Sequence, residues 1–134
     1  MKRIAFFISA FIFLSSCNSG NNYSAAENAF DAGREFIDGC LKGDFDKASF
    51  YMLQDSVNAG LLSKMKKEYD ADNATRKQQY KDASIIIDQD ETVSSAEHII
   101  YYKNSYDKIA RKVKVVNANS NWLVDLKYTF NGNL

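Results

Sequence analysis

From residue 24 onward the chain reads as two halves with different hydrophobic periods. In the first, Ala26, Phe30, Gly33, Ile37, Cys40 and Leu41 recur at spacings that put them on one helical face, while Asp31, Arg34, Glu35 and Asp38 fall on the other. Ser24-Ala-Ala-Glu27 has the form of a capping box, and Gly39 and Gly43 bracket the end of this first helix. Asp44 can cap a short second helix over 45–53, with Phe45, Ala48 and Met52 inward. Ser56 can cap a third, in which Val57, Leu61, Met65 and Tyr69 recur at helical spacing. The run 70–73 breaks that pattern before a last polar helical segment ending near Tyr80.

After Ala83 the period falls to two. Four β-rich runs follow, over 84–90, 96–103, 109–116 and 122–130, joined by short turn-like segments. Short joins predict an antiparallel meander, and helices followed by strands predict an α+β fold with the helices on one face of the sheet. Alternation assigns the faces. Ile85 and Ile87, then Ala96, His98, Ile100 and Tyr102, then Val113 and Val115, then Trp122, Val124, Leu126, Tyr128 and Phe130 point toward the helices. Phe30 and Trp122 are accordingly expected to be buried between helix and sheet. The outward face carries charge, but also Ile86, Ile99, Tyr101, Val116 and Leu123. If clustered, these five form an apolar patch suited to a homodimer or a protein partner; scattered, they are ordinary strand residues.

The chain begins differently. Lys2 and Arg3 precede an apolar run over residues 4–14, too short to span a bilayer, and small residues follow, as in a signal peptide. Leu14-Ser15-Ser16-Cys17 then resembles the lipobox of bacterial lipoproteins. That resemblance implies cleavage before Cys17 and lipidation of its thiol and new amino terminus, which would hold the protein on a membrane surface. The expected organisation is a signal peptide over 1–16, a lipidated Cys and polar tether over 17–23, and one domain over 24–134. No acidic cluster follows Cys17, which by the same resemblance implies a location in the cell envelope facing the periplasm.

A length of 134 residues bounds the architecture at one domain. Lys and Arg number 17 and so do Asp and Glu, without a long basic run, which argues against nucleic acid as a partner. A single His, and Cys40 as the one thiol besides Cys17, leave too few ligands for a Cys or His metal site. Asp70-Ala-Asp72-Asn73 lacks the Gly and Glu that a calcium loop needs, having Thr75 and Lys81 in those places. P-loop, GxGxxG and Gly-x-Ser-x-Gly patterns are absent, so no metal or cofactor is expected. Cys40, on an apolar stripe without a nearby His, reads as an inert packed thiol.

The opening amphipathic helix, the turn Lys42-Gly43-Asp44-Phe45-Asp46-Lys47-Ala48, and the strand Asn121-Trp122-Leu-Val-Asp-Leu126 together resemble small bacterial lipoproteins of the nuclear-transport-factor-2-like superfamily. The resemblance implies a curved four-stranded sheet wrapped around the long helix as a cone, a fold shared by isomerases, cyclases and noncatalytic binding domains. The cone interior would be lined by His98, Ile100, Tyr102, Val113, Trp122, Val124, Phe30 and Ile37. Two functions follow. The chain is a noncatalytic module that binds a small ligand or a protein, or it is an isomerase- or cyclase-like enzyme in which His98, with Tyr102 or Tyr128, is the weak catalytic candidate. Because the sequence places no acid beside His98, a His hydrogen-bonded to a carbonyl or a Tyr hydroxyl is the preferred account.

Lipidation at Cys17 predicts that the expressed protein partitions with membranes and incorporates labelled acyl chains. Cys17→Ala should abolish both, and equal acyl labelling of the two proteins would refute the lipobox.

Overall fold

A computed structural model of the chain describes residues 22–130. The expected signal peptide over 1–16, the expected lipidation of Cys17 and most of the expected tether fall outside the described residues, as does the expected placement of the Phe130 side chain. Four helices come first, α1 (Ala29–Lys42), α2 (Phe45–Phe50), α3 (Ser56–Ala71) and α4 (Ala74–Asp82). The strands β1 (Ile85–Ser94), β2 (Glu97–Asn104), β3 (Arg111–Ala118) and β4 (Asn121–Asp125) follow, then a final helical turn, α5 (Leu126–Phe130). The strands form one open antiparallel sheet in the order β1-β2-β3-β4.

The core lies between α1 and one face of this sheet. Phe36 and Ile37 of α1 meet Ile100, Val113, Val115 and Val124, all essentially inaccessible to solvent. Gly33 permits the approach: a Cβ at that position would stand 2.4 Å from Cδ1 of Ile100 and 3.3 Å from Cγ2 of Val115. At the other end of α1, Gly43 takes a left-handed conformation (φ 72°), and the amide of Asp44 donates to the Gly39 carbonyl at 2.8 Å. This glycine cap turns the chain sharply into α2. Beyond α2, residues 51–53 run beside β4, with the Val124 amide donating to Tyr51 O at 2.8 Å and the Leu53 amide to Val124 O at 2.9 Å. The open edge of β4 is thereby covered.

Four expectations are corrected. Phe30 is 40% exposed, and Phe36 takes the buried place assigned to it, because the inward stripe of α1 runs Ala29, Ala32, Gly33, Phe36, Ile37. The helix also starts later. Asn28 is its cap and accepts from the Asp31 amide at 2.8 Å, while residues 23–24 are pinned extended by Tyr23 donating to Asp44 and Tyr51 donating to the Ser24 carbonyl. Asp55 rather than Ser56 caps α3, whose inward face includes Asn58 and Leu62 and leaves Val57 exposed. Finally, the last strand stops at Asp125 because the buried Asn58 accepts the Leu126 amide at 2.9 Å through its side-chain oxygen. The chain coils there, so Tyr128 leaves the inner face and its ring stands 5.2 Å from the Lys112 ammonium on the outward side.

Truncating Phe36 to Ala should therefore cost about 3 to 5 kcal/mol. Phe30→Ala should stay within about 0.5 kcal/mol of the parent, as exposed positions do. Urea denaturation of the two variants measures both, and the reverse ranking would mean that α1 presents another face to the sheet.

Candidate functional site

The helices and the sheet part company toward the C-terminal half of α1. A cavity of about 540 Å³ opens there, floored by Tyr102, Asn104, Arg111 and Val113 of the sheet, and walled by Phe36, Ile37, Cys40 and Leu41 of α1. Phe45 of α2, Met65 and Tyr69 of α3, Arg76 and Tyr80 of α4, and Leu126 and Thr129 of α5 complete it. Its walls are apolar, as helix faces turned to a core must be, and its polar groups gather at the mouth.

Those polar groups are largely engaged with one another. Arg111 donates through both terminal nitrogens to Asp107, at 2.9 and 2.6 Å. Asp107 also receives the Asn104 side-chain amide and the Ile109 backbone amide, each at 3.0 Å, and the Tyr80 hydroxyl at 3.2 Å. The Asn104 oxygen in turn accepts from the amides of Tyr106 and Asp107, an Asx turn that fixes the β2–β3 connection. The Arg111 guanidinium holds the Asp107 carboxyl well below the usual carboxylate range, with smaller help from the two amides and against the effect of burial.

Deeper in, the chemistry is quiet. Burial pushes the Cys40 thiol up to about 12, which disfavours its thiolate. Burial, and secondarily the neighbouring Cys40, raise the Tyr102 phenol as well. The Tyr102 hydroxyl has no hydrogen-bond partner among the described residues. The Tyr69 hydroxyl is buried and also lacks one, but it is boxed against Gly43, where a Cβ would lie 2.7 Å away.

Of the residues assigned from sequence to the interior, Ile37, Tyr102 and Val113 line this cavity. Trp122 lines a smaller hollow of about 240 Å³ with Phe50, Met52 and residues 25–26. Phe30, His98, Ile100 and Val124 line neither. His98 lies on the same face of β2 as Tyr102, but the fully buried Ile100 stands between them. It does have an acid. A bulge between Ile87 and Gln89 shifts the phase of β1, turning Asp90 to the helix side, where Oδ1 lies 2.9 Å from His98 Nδ1. The indole of Trp122 meets the His98 ring edge-on at 5.4 Å. This cluster ties three strands together at the end of the sheet remote from the cavity.

On the outward face, Val116 pairs directly with Leu123, and Ile99 lies opposite Lys114. Ile86 is set apart beside Lys103, which pairs with Asp88 at 2.6 Å, and the Tyr101 hydroxyl donates to Glu91 at 2.9 Å. Charge pairs thus interrupt the five apolar positions. No metal-holding group of His, Cys, Asp or Glu occurs among the described residues.

Arg76, Tyr80, Asp107 and Arg111 were missed by pattern reading. The only signal was the Asn104-Ser-Tyr-Asp107 turn, which reads as a loop until β3 brings Arg111 back to it. Set against known protein families, curated proteins and solved structures, the chain matches none, so its geometry alone carries the assignment.

Asp107→Asn should cost on the order of 2 kcal/mol at neutral pH, since it removes a charged acceptor from several donors. A depressed carboxyl contributes stability above its ordinary value of 3.8 and loses that contribution as the pH falls toward the folded value. The gap between parent and variant, measured by denaturation across pH, should therefore close on acidification. A gap constant with pH would mean that the Arg111 pair is not its source.

Proposed function

We propose that the chain is a noncatalytic binding module for a small ligand, held on a membrane surface facing the periplasm by lipid on Cys17. The observation that carries the binding reading is the cavity of about 540 Å³ under α1, with apolar walls, a mouth braced by the Asp107 network and a free hydroxyl from Tyr102. A space of that size with walls this apolar suits a small ligand. The helices-first order and the antiparallel meander over an α1 spine support kinship with the nuclear-transport-factor-2-like superfamily and its cone. Catalysis through His98 has less behind it, since Ile100 separates that imidazole from the cavity.

The test uses the chain from residue 22 onward, which contains the packed core of the described residues. N-phenylnaphthylamine, a neutral dye that brightens in apolar surroundings, should bind it. Met65→Trp, filling the cavity from α3, should weaken that binding at least about tenfold, a loss of roughly 1.4 kcal/mol. His98→Gln should not change it. Leu41→Phe provides a second filling variant should Met65→Trp fail to show a cooperative thermal transition. Dye binding that neither filling variant reduces would place the ligand elsewhere and overturn the proposal.

A further inference from the structure

The cavity's own charges narrow what it can hold. Two guanidiniums reach it, from Arg76 and Arg111, and both are answered. Arg111 is spanned by Asp107, and Arg76 lies 3.5 Å from Asp72 and donates to the Tyr80 hydroxyl at 3.3 Å. Glu68 adds a further carboxylate at the mouth. Two cations therefore face three acids, and an anionic head group entering there gains no net attraction while losing its hydration. A cation fares no better among the apolar walls of Phe36, Ile37, Leu41, Phe45, Val113 and Leu126, where it too loses its hydration.

The hydrogen-bonding capacity left over is equally specific. Asn104 spends its amide on Asp107 and its oxygen on two backbone amides, and Thr129 donates to the Lys112 carbonyl at 3.2 Å. The Tyr69 hydroxyl faces Gly43. Tyr102 remains, with its hydroxyl beside Cys40 and without a hydrogen-bond partner among the described residues. A phenol in an apolar cavity offers one donor that an acceptor on a ligand can take.

We infer that the ligand is an electrically neutral, mostly apolar molecule bearing a hydrogen-bond acceptor, which the Tyr102 hydroxyl holds while the helices enclose its apolar part. The inference rests on the cavity being the binding site and names the class of molecule it takes.

Competition for the bound dye separates the two claims. Octanol, octanoate and octylamine share one chain and differ only in the charge of the head. Octanol should displace N-phenylnaphthylamine most strongly, and Tyr102→Phe should weaken the octanol competition about fivefold to tenfold, the worth of one buried hydrogen bond. His98→Gln, which lies outside the cavity, should leave it unchanged. If the dye does not bind at all, the cavity reading itself falls. If the dye binds but octanoate or octylamine competes as well as octanol, the site stands and the neutral class is wrong. If octanol leads yet Tyr102→Phe changes nothing, Tyr102 is not the group that holds it.

Discussion

A methyl group at Gly33 would stand 2.4 Å from the Ile100 side chain, so α1 rests on β2 at a distance that only a residue without a Cβ allows. Much else in the domain is positioned from that contact. Because the helix touches the sheet so closely there, Ile100 is wholly buried and Phe36 and Ile37 reach the central strands one turn later. The helix then runs on to Cys40 and Leu41, where α3, α4 and α5 rather than the sheet alone provide its neighbours, and the space between them remains open. The same isoleucine divides the inner face of β2 into an end that ends in Tyr102 and an end that begins with His98.

That division explains why two residues four apart on one strand have unlike surroundings. Tyr102 meets apolar side chains and a thiol, and burial raises its phenol. His98 meets Asp90 and the edge of Trp122 near the rim of the sheet. A bulge is what makes the second arrangement possible, since without the extra residue in β1 Asp90 would point to the opposite face. On the inner face of the sheet the Asp107–Arg111 network and the His98–Asp90 pair thus lie at opposite ends, with the apolar seam of Ile100, Val113, Val115 and Val124 between them.

Periodicity made the α+β order, the four-stranded antiparallel meander and most inward strand positions legible, because alternation along a half-buried strand depends only on neighbours in sequence. Helix faces were less legible. Phe30 and Phe36 both fit an apolar stripe, and only the close approach at Gly33 decides which of them the sheet covers. The end of β4 was hidden for a different reason. Residues 126–130 alternate like a strand, and what curls them is the side chain of Asn58, 68 positions away in sequence. The cavity belongs to the same class: its apolar walls could be read as core, but its mouth depends on Arg76, Asp107 and Arg111 converging from separate elements.

The pairing of residues 51–53 with β4 also has a kinetic meaning. The segment that follows α2 pairs with Val124, and the side-chain oxygen of Asn58 accepts from Leu126. Contacts this distant in sequence close late, because the intervening chain must first be ordered. A nascent chain of this protein therefore has helices available early but no finished core until almost its last residues have been made.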